Sequence, residues 1–115
     1  MTAALDRYIS RMPDTRMQLV EVAPGEFQVS GEVDAHSSEL FATTLVAAGE
    51  RSTAVIVDMS GVTFMDSSGL RVLVEAQQRA EAGGPSLVLR SPSRQITRLL
   101  DLAGLTENFE IDAPA

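Results

Sequence analysis

The chain has 115 residues, 44% of them hydrophobic and 22% charged, which is the size and composition of one soluble globular domain. The formal net charge of −7 argues against a nucleic-acid partner or an anionic membrane, because both would need a basic surface. There is no cysteine, which excludes disulfides and thiolate chemistry. No apolar run reaches the roughly 20 residues of a membrane span, and no signal peptide opens the chain, so we expect the cytoplasm.

The first half of the chain begins with a segment that carries no clear structural pattern. We interpret residues 1–15 as an N-terminal tail or short leader and residues 16–115 as one domain. Residues 17–22 and 26–33 read as two strands joined at Pro24 and Gly25, which predicts an antiparallel hairpin.

A helix follows, predicted over residues 37–49 from the spacing of Phe41, Leu45 and Ala48, with Gly49 as its end.

The middle of the chain contains a short, continuous apolar run in residues 53–58. Such a run is typical of a central parallel strand that is covered on both faces. We expect a loop after it, in which Val62, Phe64 and Met65 tuck under the edge of the sheet.

The second half of the chain alternates between helical and strand patterns. Residues 67–82 predict a second helix and residues 86–90 another strand. A third helix follows, with Ser91 as its N-cap and Pro92 at its first position, and residues 108–111 are a weaker strand candidate. The order β-β-α-β-α-β-α-β predicts an α/β fold: a mostly parallel, mixed sheet of about five strands with helices packed against it.

Residues that could support catalysis are scarce. The single histidine, His36, lies in a predicted loop or first helical turn, where a solvent-exposed role is far more common than a catalytic one. No phosphate-binding glycine loop or calcium-binding loop occurs, and Cys/His metal sites are excluded by composition. Ser68 does not lie in a Gly-x-Ser-x-Gly motif. We therefore expect neither an enzyme nor a resident metal or cofactor.

Residues 58–70 hold the densest group of candidate functional residues. Asp66, Ser67 and Ser68 are all good helix-start residues, so a role as a simple helix cap is as well supported as a functional one. Gly69 is unfavourable in a helix unless something requires it, and we expect its missing side chain to open the surface beside Ser68 to another protein. A hydroxyl there would lie beside free backbone N–H groups, where a phosphate of about −1.5 to −2 charge is tolerated.

Four stretches of the chain match one family in the correct order. The longest is residues 58–70, which contain Asp-Ser-Ser-Gly-Leu; the others are Gly-Glu-Val-Asp at 31–34, Ser-Pro at 91–92 and Leu-Ala-Gly-Leu at 102–105. Together they resemble the STAS domain family, in particular its bacterial anti-sigma factor antagonists. The resemblance covers about residues 16–112.

The resemblance implies that Ser68 is phosphorylated by a partner that is both an anti-sigma factor and a GHKL-type serine kinase, with Ser67 as the second choice. It implies that the unphosphorylated form binds this partner and releases a sigma factor. It also implies that phosphorylation prevents binding and that a metal-dependent serine phosphatase reverses it. ATP would belong to the kinase. The residues expected to bind the partner are Asp34, Asp66, Ser67, Ser68, Gly69, Leu70 and Arg71, together with the loop at residues 62–66.

Two other functions stay open at this point. One is a non-switching STAS subunit of a lipid-transport ATPase or of a stress-signalling complex, in which the same helix start docks a partner without phosphorylation. The other is a nucleotide- or small-ligand-binding domain that uses the helix N-terminus for an anion, which the acidic balance disfavours. A hydrolase would lack a general base.

Overall fold

The computed structural model describes residues 16–113, which form five strands and three α-helices. In chain order they are β1 (Met17–Ala23), β2 (Glu26–Val33), α1 (Ser38–Arg51), β3 (Ala54–Met65), α2 (Ser67–Glu81), β4 (Ser86–Arg90), α3 (Arg94–Ala103) and β5 (Glu110–Asp112), with one 3-10 turn (Thr106–Asn108) before β5. The predicted order of strands and helices is confirmed. Residues 1–15, predicted as a tail, lie outside the described residues.

The five strands form one sheet in the order β1-β2-β3-β4-β5. β1 and β2 pair antiparallel, as the predicted hairpin requires, and the remaining neighbours pair parallel. Each parallel pair is connected through a helix, which is the connection that parallel strands need. The predicted α/β fold with a mixed sheet is therefore confirmed.

The core lies on one face of this sheet. Phe27, Val57 and Leu89 are neighbours across three strands and are buried, and the buried faces of the helices join the same cluster. On the opposite face the central strand carries Ile56 and Asp58, which are only half-buried. The expectation that this strand is covered on both faces is therefore wrong. Its continuous apolar run supplies a core side and a side that is partly open to solvent.

β3 is twelve residues long and contains two irregularities in its pairing with β2, so the predicted loop after residue 58 is in fact strand. The register shifts once between Gln28 and Ser30 and again between Gly31 and Glu32, and each shift adds one residue to β3. These are β-bulges, which break the two-residue alternation of a strand. The buried residues of this stretch are therefore spaced by three instead of two: Met59, Val62 and Met65.

Two helix boundaries differ from the predictions. α1 continues past Gly49 to Arg51, because the predicted glycine stop keeps a helical backbone and lies against the ring of Pro85. α3 begins at Arg94 with Ser93 as its N-cap, so Ser91 is not the cap. The last turn ends at Gly104 in a left-handed conformation (φ 71°), which glycine adopts readily.

The open face of the sheet carries an exposed ion-pair network. The Arg90 guanidinium donates to Asp112 and Glu26, each at 3.3 Å. The hydrogen bond to Asp112 is the main reason why the pKa of Arg90 is raised above its usual value. Among residues 16–113, no helix is long and apolar enough to cross a membrane.

Candidate functional site

The candidate site lies where the neighbouring parallel strands β2 and β3 end. Val33 pairs with Met65 at the last position of both strands, and the Asp66 N–H donates to the Val33 carbonyl at 3.1 Å. Asp34 and Asp66 are the residues that follow these strands. The carboxyl ends of parallel strands lie at one edge of the sheet, so the fold brings together two acidic residues that are 32 positions apart in sequence.

Asp66 is the N-cap of α2. Its backbone is extended, and its Oδ1 atom accepts hydrogen bonds from the Ser68 N–H at 2.8 Å and the Gly69 N–H at 3.3 Å. The sequence left open which of three adjacent residues caps the helix, and the structure assigns the cap to Asp66. The hydroxyls of Ser67 and Ser68 make no hydrogen bond to any residue in 16–113.

The two serines differ in exposure. Ser67 is exposed and Ser68 is half-buried, although both stand in the first turn of α2. The backbone N–H groups of Ser68 and Gly69 were predicted to be free, but the Asp66 carboxylate accepts a hydrogen bond from each of them. A phosphate added to Ser68 would therefore meet a carboxylate already bound at the positive end of the helix, and the two negative charges would repel each other.

Gly69 is buried beneath the start of α2. A β-carbon at this position would lie 2.7 Å from Met65 Cγ and 2.8 Å from Val33 Cγ1, closer than such atoms approach. The missing side chain therefore makes room for the last core residues of β2 and β3. It does not open the surface beside Ser68, so the reason given for this glycine from the sequence is wrong. The close packing holds the serine-bearing turn against the strand ends.

Asp34 also has a structural role in this arrangement. Its Oδ1 atom accepts hydrogen bonds from the His36 N–H at 3.0 Å and the Ser37 N–H at 3.3 Å, which forms the turn before α1. The Ser37 hydroxyl is buried and also bonds to Asp34. Asp34 is half-buried and keeps one carboxylate oxygen outside these bonds. His36 is exposed, and the only bond it forms with Asp34 is through its backbone.

The next residues of α2 divide between core and surface. Leu70 is half-buried and packs against the core, whereas Arg71 is exposed and forms no ion pair within residues 16–113. The first turns of α2 therefore present Ser67, Ser68 and Arg71, next to the strand ends that Asp34 and Asp66 follow. No group of three or more possible metal-ligating side chains occurs in the described part of the chain.

One exposed residue at this edge was missed from the sequence. Phe64 was expected to tuck under the sheet, but half of its surface (50%) is open to solvent. The signal that could have revealed it is the spacing of three between Met59, Val62 and Met65, which leaves Phe64 no inward position.

Comparisons with known proteins agree with this architecture. The family model described as STAS domain matches residues 18–113. A relative from Bacillus subtilis (strain 168), named anti-sigma-B factor antagonist, is 31% identical over 88 residues, which cover 76% of this chain and 81% of the relative.

Solved structures share the fold. An anti-sigma factor antagonist from Mycobacterium paratuberculosis superposes with a TM-score of 0.73 at 24% identity, covering 87% of each chain. The anti-sigma factor antagonist SpoIIAA in its unphosphorylated form gives a TM-score of 0.67 at 23% identity, covering 86% of this chain and 88% of its own. The structure of the Bacillus protein SpoIIAA in its phosphorylated form gives a TM-score of 0.64 at 23% identity, covering 86% of this chain and 91% of its own. With nearly the whole described region matched by one family model, the chain belongs to the STAS domain family.

Proposed function

We propose that this protein is an anti-sigma factor antagonist whose partner binding is switched off by phosphorylation of Ser68. The unphosphorylated chain binds an anti-sigma factor that is also a GHKL-type serine kinase, and this binding releases a sigma factor. A metal-dependent serine phosphatase restores the binding form. The observation that carries the proposal is the free Ser68 hydroxyl: Asp66 caps the helix, so the serine is available for chemistry. The names of the relatives support the choice of partner.

Electrostatics explains how a phosphate acts as the switch. Phosphorylation brings a charge of about −1.5 to −2 to Ser68, directly beside the Asp66 carboxylate and across the strand ends from Asp34. A partner surface that complements the carboxylates of Asp34 and Asp66 then faces about twice the negative charge that the unphosphorylated site carries. The phosphate also fills space in which the partner would pack closely against Ser68. Like-charge and steric costs of this kind are large enough to separate bound from free protein.

The proposed partner-binding residues lie in the first turns of α2 and directly after β2. Asp34, Asp66 and Arg71 supply charge, and Ser67 and Ser68 supply the contact at the helix start. Leu70 and Gly69 contribute chiefly by holding this turn against the core, since one is half-buried and the other buried.

This chain acts as a binding module and not as an enzyme. ATP belongs to the kinase, and no cofactor or metal is needed in this chain. The net charge of −7 disfavours nucleic acid and anionic membranes as partners, and the cytoplasm is the expected compartment.

Intact-mass measurement tests the proposal. The purified chain is incubated with ATP and each GHKL-type anti-sigma factor of the source organism, and the kinase that modifies it is taken as the partner. We expect one added phosphate on the wild type and on Ser67→Ala, and none on Ser68→Ala. Stoichiometric phosphorylation of Ser68→Ala would move the site to Ser67. A chain that binds an anti-sigma factor but takes up no phosphate would instead support the non-switching role.

A further inference from the structure

Phe64 stands apart from the other three phenylalanines of the chain. Phe27, Phe41 and Phe109 are 3%, 0% and 7% exposed, whereas Phe64 is 50% exposed. Single exposed apolar residues are common on protein surfaces and need no explanation by themselves. The exposure of Phe64 calls for an explanation because a β-bulge in the surrounding backbone turns the ring outward.

The second bulge of β3 causes this orientation. Between the buried residues Val62 and Met65 stand two consecutive exposed residues, Thr63 and Phe64, where a regular strand would have only one. Without the extra residue the alternation that buries Val62 would also bury Phe64. Bulges of this kind redirect side chains and are common beside functional sites.

The ring lies beside the candidate site. Phe64 pairs with Glu32 across the two strands, two residues before Asp66, which places its α-carbon about 7 Å along the chain from that cap. Glu32 is half-buried and forms an exposed ion pair with Arg16 at 3.5 Å. The ring is therefore an apolar point on a rim that carries the carboxylates of Glu32, Asp34 and Asp66.

We propose that Phe64 is the apolar anchor of the surface that docks the anti-sigma factor, an inference that rests on the proposed function. The partner then offers an apolar pocket for the ring, with a basic side chain at its rim that faces Glu32 and can also stack on the ring. An anchor of this kind contributes binding free energy in both states of Ser68. Phosphate on Ser68 at the start of α2 opposes that binding.

Steady-state phosphorylation by the kinase found by intact mass tests this role, together with the Kd of the same protein without ATP. We expect Phe64→Ala to raise both KM and Kd at least tenfold and to leave kcat unchanged, because the reacting serine is intact. Phe64→Leu should recover part of the loss. Val22→Ala is the matched control: Val22 is 52% exposed in β1, so its truncation should change neither constant. Thermal unfolding of each variant confirms that it is folded.

The possible failures are distinguishable. A Phe64→Ala protein that binds within twofold of wild type, while Ser68→Asp binds poorly, overturns the anchor and leaves the switch in place. An equal loss in Val22→Ala also overturns it, since the effect would not belong to this surface. If wild type forms a dimer in light scattering that Phe64→Ala dissociates, the ring binds a second copy and the anchor proposal is overturned. A chain that binds no anti-sigma factor in either state of Ser68 overturns both proposals.

Discussion

All three described helices begin with a serine near the end of a parallel strand, and the serines at the starts of α2 and α3 are used differently. At the start of α3, the Ser93 hydroxyl accepts from the Ile96 N–H at 3.3 Å and donates to the Val62 carbonyl at 2.6 Å. At the start of α2, the cap is Asp66 and the Ser68 hydroxyl makes no bond within residues 16–113. A similar local sequence thus gives a structural serine in one place and an available one in the other.

The difference shows what frees a serine at a helix start for modification. Capping needs one acceptor for the first backbone N–H groups, and an aspartate one or two residues earlier satisfies it as well as a serine does. Ser68, which follows this aspartate, lies in the first turn of the helix but is not needed to cap it. Substitutions of the capping residues should therefore change the free energy of unfolding, whereas substitution of Ser68 should change phosphorylation and leave stability nearly unaltered.

The largest expected effect concerns the packing under α2. Gly69→Val should lower the free energy of unfolding by about 2–3 kcal/mol, because the new side chain would collide with Met65 and Val33. Chemical denaturation measures it. Ser67→Val, at the exposed neighbouring position, is the control and should change stability by no more than about 0.5 kcal/mol. A Gly69→Val protein as stable as the control would show that the turn is not held by this contact.

The next effect tests the two serines directly. Ser93→Ala should lower the free energy of unfolding by about 1–2 kcal/mol, since it removes both the cap and the bond to the Val62 carbonyl. Ser68→Ala should change it by less than about 0.5 kcal/mol. Urea titrations of both variants measure the free energy of unfolding. Equal losses in the two variants would mean that the Ser68 hydroxyl also stabilises the fold.

The smallest effect separates the charge of Asp66 from its capping bond. Asp66→Ala should cost about 1 kcal/mol of stability, whereas Asp66→Asn should cost only a few tenths, because asparagine caps as well as aspartate. Thermal unfolding of the pair gives the comparison. An asparagine variant as unstable as the alanine variant would assign the effect to charge at the helix dipole and not to the hydrogen bonds.

Much of the fold follows from sequence patterns, and the parts that do not have physical causes. The apolar spacing of the three predicted helices, the short apolar strands and the hairpin turn at Pro24 and Gly25 together predict the order of the elements. The spacing of three between Met59, Val62 and Met65 indicates an irregular strand, but the register of the bulges depends on pairing with β2, which lies more than 25 residues earlier. The start of α3 was placed two residues early because Ser91 and Ser93 are equally good caps locally.

Prediction of the site was limited in the same way. The Asp-Ser-Ser-Gly stretch predicts a candidate site at residues 66–71. Propensity alone cannot select the cap among Asp66, Ser67 and Ser68, since all three residue types favour it. The role of Gly69 was missed because its contacts, Met65 and Val33, come together only when two parallel strands end side by side.

In the function that we propose, a phosphate on Ser68 switches partner binding off. The most direct test compares the Kd of the unphosphorylated chain with that of the chain stoichiometrically phosphorylated on Ser68, against the same anti-sigma factor at fixed salt. We predict an affinity at least tenfold weaker for the phosphorylated chain, with both forms folded by circular dichroism. Equal affinities of the two forms would contradict the account.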